Sequence, residues 1–93
     1  MIRRVEVTRR AEKQVRRLPA HVRRKLKTWT HLITEIGLEE ARKTPGFHDE
    51  PLVGRRQGMR SIRLSRAYRA MYRLVRDGDV ELVRIEEVSK HGY

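Results

Sequence analysis

The stretch that decides the fold is Tyr68-Arg69-Ala70-Met71-Tyr72-Arg73-Leu74-Val75-Arg76-Asp77-Gly78-Asp79-Val80-Glu81-Leu82-Val83-Arg84-Ile85-Glu86-Glu87-Val88. Tyr68, Ala70, Tyr72 and Leu74 alternate with Arg69, Met71, Arg73 and Val75, the period of two that belongs to a half-buried strand. Asp77-Gly78-Asp79 is a hairpin signal, because glycine accepts the positive φ that a tight turn demands. The returning strand, Val80 to Val88, carries β-branched residues at 80, 83, 85 and 88. Immediately upstream, Arg60, Ile62 and Leu64 fall on one face and Ser61 and Arg63 on the other. Ser65-Arg66-Ala67 supplies a turn. The chain from Met59 onward is therefore a three-strand meander.

The period changes on moving toward the N-terminus. Val22, Leu26, Trp29, Ile33 and Ile36 recur at spacings of four and three, so the sequence predicts an amphipathic helix from Ala20 to Ile36, stopped by Gly37. Arg23, Arg24, Lys25 and Lys27 lie off its apolar stripe. A first helix follows Thr8, a capping residue, with Ala11, Val15 and Leu18 on one face. Leu18-Pro19-Ala20 separates the two, and the pair reads as a helical hairpin. Leu38 to Lys43 extends this region by a helical turn or two. Residues 2–7 read as a short strand that joins the sheet at an edge or beside the last strand. Residues 44–58 contain Pro45, Gly46, Pro51, Gly54 and Gly58 and read as a loop with few regular hydrogen bonds. The fold class is α/β in its α+β form: a strand and a helical hairpin packed on a twisted, mainly antiparallel sheet. With 93 residues, the chain is expected to form one domain, 1–93.

The formal net charge of +11 requires a polyanion or an acidic protein as partner. Residues 1–36 hold 11 Lys and Arg against 3 Asp and Glu, residues 37–58 hold 4 against 4, and residues 59–93 hold 8 against 5. The front of the chain supplies bulk positive field; the back supplies arginines in strand order. The absence of cysteine removes disulfides and thiolate zinc sites and favours a cytoplasmic protein. No apolar run reaches the roughly 20 residues of a membrane span. One tryptophan and one phenylalanine give little for insertion into a membrane surface, so no membrane partner is expected.

Three groups of residues carry chemistry. Arg60, Arg63, Arg66, Arg69 and Arg73 punctuate the meander; guanidinium is always charged and matches phosphate oxygens in bidentate geometry. The competing reading pairs them with Glu81, Glu86 and Glu87 on a solvated sheet face. The tail Lys90-His91-Gly92-Tyr93 brings a cation, an imidazole that titrates near neutral pH and a phenol. RNA can be cut without metal when its 2′-hydroxyl attacks the adjacent phosphate. That reaction needs a base, a cationic stabiliser and an acid, so His91 suits either proton-transfer role. The loop adds Phe47-His48-Asp49-Glu50, a dense set of titratable groups. There a carboxylate is a candidate base and His48 a candidate acid or base-edge ligand. The alternative is turn chemistry, with Asp49 bonding its local backbone before Pro51. No second cluster at ligand spacing supports a metal site. Trp29, Tyr68 and Tyr72 read as core, and His21 and His31 as surface.

Four segments occur in order: Phe47-His48-Asp49-Glu50-Pro51-Leu52; Gly54-Arg55-Arg56-Gln57-Gly58-Met59-Arg60-Ser61-Ile62-Arg63-Leu64; Tyr68-Arg69-Ala70-Met71-Tyr72; and Glu87-Val88-Ser89-Lys90-His91-Gly92-Tyr93. Together they resemble the RelE/ParE superfamily of toxins from bacterial toxin–antitoxin pairs, and more narrowly its HigB- and RelE-like mRNA interferases. The resemblance implies a RelE-like fold and metal-independent cleavage of mRNA in the ribosomal A site, with no cofactor. It also implies neutralisation by a small cognate antitoxin in a hetero-oligomer. It carries phosphate and transition-state roles to Arg60, Arg63 and Arg69. The terminal group becomes Lys90, His91 and Tyr93, with His48 and Glu50 as acid–base or positioning residues. Further RNA contacts fall to Arg55, Arg56, Arg66, Arg73, Lys25 and Lys27. One departure stands out: relatives commonly end in Asn-Lys-His-Asp-Tyr, where this chain has Ser89-Lys90-His91-Gly92-Tyr93. Loss of that carboxylate implies reduced activity. Two other functions fit the same residues, a ParE-type gyrase inhibitor and a non-catalytic nucleic-acid-binding module.

Overall fold

In a computed structural model describing residues 1–90, five strands form one mixed sheet in the order β1-β5-β4-β3-β2. The strands are β1 (Arg4–Val7), β2 (Glu50–Pro51), β3 (Arg60–Arg63), β4 (Tyr68–Asp77) and β5 (Val80–Lys90). The helices are α1 (Arg9–Arg16), α2 (Ala20–Ile36) and α3 (Leu38–Ala41), with a 3₁₀ turn at Gly54–Arg56. The meander stands as the alternation implies. Asp77 pairs with Val80 across a two-residue turn in which Gly78 takes φ 63°. Both expectations for the first strand are met at once: β1 is an edge strand and runs parallel to β5, with Val5 opposite Val83 and Val7 opposite Ile85.

The helical hairpin covers one face of the sheet. Val22, Leu26, Trp29 and Ile33 of α2 are buried against Ile62, Ala70, Tyr72, Val83, Ile85 and Val88. At the centre, the Trp29 and Tyr72 rings sit 5.1 Å apart at 48°. Thr8 caps α1, its hydroxyl accepting from the Ala11 N–H at 3.1 Å, and also donates to the Glu86 carbonyl at 3.3 Å. The Gln14 side chain accepts from the Val88 N–H at 2.7 Å. α1 thereby satisfies the edge of β5 where β1 has ended. A bulge between Met71 and Tyr72 in the β4–β5 ladder lets Glu86 and Glu87 both face away from the helices.

Some expectations need adjusting. The 44–58 segment is not wholly irregular, since Glu50 pairs with Ser61 and Pro51 with Arg60 in a two-residue strand. So short a strand has no readable period. Leu74 and Ile36 keep the expected pattern but are 40% and 38% exposed, because each lies beyond the reach of the opposing layer. The last strand runs two residues past Val88.

Candidate nucleic-acid interface and active site

The sheet face away from the helices is partly open, and alternation decides which arginines it displays. Arg63 lies directly opposite Arg69, and Arg69 opposite Ser89. Ser61 and Met71 follow in the next row, with Glu87 beyond them, and then Arg73 opposite Arg84. β2 places Glu50 opposite Ser61 on this same face, and the Arg69 guanidinium lies 4.0 Å from the Glu50 carboxylate. The structure therefore brings Glu50, Arg63 and Arg69 together at the end of the sheet where β5 finishes with Lys90. Lys90 pairs with Tyr68 and is exposed. His91, Gly92 and Tyr93 lie outside the described residues, so their expected convergence on this group is untested.

Two arginine pairs face each other across strands, and like charges so placed oppose folding. The Arg73/Arg84 pair is internally balanced: Arg73 meets Glu86 at 3.5 Å, and Arg84 meets Glu6 at 3.3 Å. The Arg63/Arg69 pair is not. It shares one loose carboxylate, Glu50, and Arg63 has no ion-pair partner among the described residues. An excess positive charge thus sits where an incoming phosphate would find two guanidinium groups.

The structure separates Arg60 from this group. Arg60 points to the helix-covered side, where its Nε donates to Asp49 Oδ1 at 2.6 Å. The Tyr72 hydroxyl donates to Asp49 Oδ2 at 2.5 Å, and only 1% of the Asp49 side chain is exposed. Burial disfavours the Arg60 charge, yet the carboxylate beside it outweighs that and holds its proton more tightly than usual. Burial, then the bond to Asp49, pushes the Tyr72 phenol up to about 12, with Arg42 acting in the opposite direction. Asp49 is thus not a local turn former, and Arg60 is a structural cation with a half-buried head. Sequence reasoning missed this pairing because the partners lie 11 and 23 positions from Asp49.

The remaining candidates divide similarly. Arg56 is held by Glu87 at 3.3 Å, and Arg10 reaches the same carboxylate at 3.3 Å. This cluster pins the 54–58 turn to the sheet, so Arg56 arrives already paired, although it shares its carboxylate with Arg10. Arg73 is likewise paired, as the solvated-face reading had it. Lys25 covers the Phe47 ring at 4.7 Å. Arg55, Arg66 and Lys27 are exposed. His48 is exposed too, in the left-handed region at φ 49°, between the buried Phe47 and the buried side chain of Asp49. Two grooves, between α2 and β1 and between α1 and α2, are mainly apolar and lie away from the Arg63/Arg69 pair. Among the described residues, no three His, Asp or Glu side chains are arranged to hold a metal ion, and no helix is long and apolar enough to cross a membrane.

No protein-family model matches the chain, and no curated protein does. Solved structures do. The archaeal RelE–RelB complex from Pyrococcus horikoshii superposes with a TM-score of 0.72 at 20% identity, covering 99% of this chain and 98% of that one. The YoeB/ParE toxin from Agrobacterium tumefaciens gives 0.67 at 23%, covering 96% and 99%. The intact Escherichia coli RelBE toxin–antitoxin complex gives 0.62 at 28%, covering 97% and 98%. The matches run nearly end to end in both chains, and the chain has the fold of the RelE-like toxins.

Proposed function

We propose that this protein is the toxin of a type II toxin–antitoxin pair and cleaves mRNA on the ribosome, as the HigB- and RelE-like branch does. The observation that carries the reading is the under-neutralised Arg63/Arg69 pair on the open sheet face, with Glu50 beside it. Two guanidinium groups can bind the scissile phosphate and stabilise the charge that builds on it during attack. In this reading Glu50 accepts the proton of the 2′-hydroxyl, whose oxygen then bonds to phosphorus. The 5′-oxygen leaves with a proton from a general acid. His91, the next residue after Lys90, is the imidazole available for that step. The products are a 2′,3′-cyclic phosphate and a 5′-hydroxyl.

The +11 charge supports docking among ribosomal RNA phosphates. The antitoxin partner is supported by the RelE–RelB and RelBE complexes among the similar structures. Gly92 in place of the usual Asp makes this a slow member of its class, so Gly92→Asp should raise the rate.

The test is primer extension on mRNA from translating ribosomes given purified protein. Discrete new 5′ ends are expected, and both Arg63→Ala and His91→Ala should abolish them. Intact mRNA accompanied by double-strand DNA breaks in expressing cells would overturn the reading in favour of gyrase inhibition. Tight RNA binding with neither effect would leave a passive binding module.

A further inference from the structure

Glu50 stands on a strand of two residues, one of them Pro51, which has no N–H to give the ladder. Pairing alone does not fix so short a strand. Its neighbour Asp49 is the opposite case: nearly wholly buried, it accepts from Arg60 on one oxygen and from Tyr72 on the other. Arg60 and Tyr72 face each other on β3 and β4, so the carboxylate is clamped across two strands of the rigid sheet. On the other side of His48, Phe47 is buried under Lys25, and its carbonyl accepts from the Arg63 N–H at 2.6 Å. Between these anchors His48 holds a left-handed backbone that a non-glycine residue adopts only when its surroundings impose it. Because side chains alternate, an inward-clamped Asp49 obliges Glu50 to point outward, onto the face of Arg63 and Arg69.

We infer that Asp49 is a positioning residue for RNA cleavage: its two-point clamp by Arg60 and Tyr72 aims the Glu50 carboxylate at the Arg63/Arg69 phosphate site. This rests on the cleavage reading given above. Asp49 touches no substrate; it acts through Glu50.

The test is a double-mutant cycle of Asp49→Asn and Glu50→Gln, read as the single-turnover cleavage rate of mRNA programmed into ribosomes. Ribosome affinity and the hydrogen exchange of the Leu52 amide, which donates to the Met59 carbonyl at 2.9 Å, are followed alongside. Asp49→Asn is expected to slow cleavage by about 10–100-fold, the cost of misplacing a reacting group by an ångström or less. Affinity should stay within about twofold, and Leu52 exchange should quicken by about tenfold or more. In the Glu50→Gln background the same substitution should slow cleavage by less than about threefold, since the group it aims is gone. Tyr72→Phe removes one of the two contacts while keeping the ring, and should cost about 3–10-fold even if Asp49→Asn fails to fold. Additive losses in the cycle, or a rate unchanged in both Asp49→Asn and Tyr72→Phe, would overturn the positioning role. Wild-type protein that cuts no RNA would instead overturn the cleavage reading. Unchanged Leu52 exchange would then overturn the clamp as well.

Discussion

Arg63→Gln should make the protein more stable and less able to hold RNA. Arg63 and Arg69 are directly opposite across β3 and β4, and Arg63 has no carboxylate partner among the described residues. Like charges in facing positions of an antiparallel pair oppose folding by about 0.2–1 kcal/mol. For a domain of this size, each kcal/mol moves Tm by about 4–8 °C, so a rise of about 1–8 °C is expected at low salt. The gain should shrink as ionic strength approaches 1 M, where the Debye length falls to about 3 Å. Arg63→Lys keeps the charge and should show no gain, which separates repulsion from strand propensity. In filter binding to single-stranded RNA, Arg63→Gln should flatten the slope of log K against log salt by about 0.7, the loss of one phosphate contact. Inorganic phosphate should raise the Tm of the wild type more than that of the variant, because it binds only the folded state. A variant that melts at or below the wild-type temperature in low salt would refute the repulsion. An unchanged salt slope would refute the phosphate contact.

Three further outcomes follow from the packing. Trp29→Ala empties the centre of the core beside Tyr72 and should cost about 3–5 kcal/mol, enough to leave the protein largely unfolded in a urea titration. The Tyr72 phenol keeps its proton to about pH 12 in the folded state but loses it near pH 10 when unfolded. Its contribution is therefore whole below pH 10 and is lost as pH rises through 12. Stability should fall over that window by up to about 2 kcal/mol, and Tyr72→Phe should remove that part of the decline in alkaline melts. Thr8→Ala removes the α1 cap and the bond to the Glu86 carbonyl, and should lower stability by about 1 kcal/mol in the same titration.

Periodicity made most of the fold legible. The four-and-three spacing of α2 and the alternation of β4 single out the buried face, except at their ends, Ile36 and Leu74, because both patterns repeat often enough to define a face. β2 escaped that reading, since two residues have no period. The site was legible only in part. Alternation alone puts Arg63 and Arg69 on one face and Arg60 on the other, and that much could have been drawn from sequence. The ties of Asp49 to Tyr72 and of Arg56 to Glu87, 31 positions on, are matters of register and loop path. Composition does not encode them. A local reading therefore assigned Asp49 to its own backbone and left Arg56 available for RNA.

Among the described residues, β5 is the strand whose ladders join the N-terminal strand to the C-terminal meander. It takes β4 on one side and, 78 positions back, β1 on the other, while α1 closes its remaining edge. During synthesis the N-terminal segment must therefore wait, unpaired, until residues 80–90 have emerged. Contacts this distant make folding late and slow. A frameshift or premature stop before Val80 leaves no foothold for β1, so a truncated translation product should not fold. The face that carries Arg63 and Arg69 is completed only once β5 has been translated.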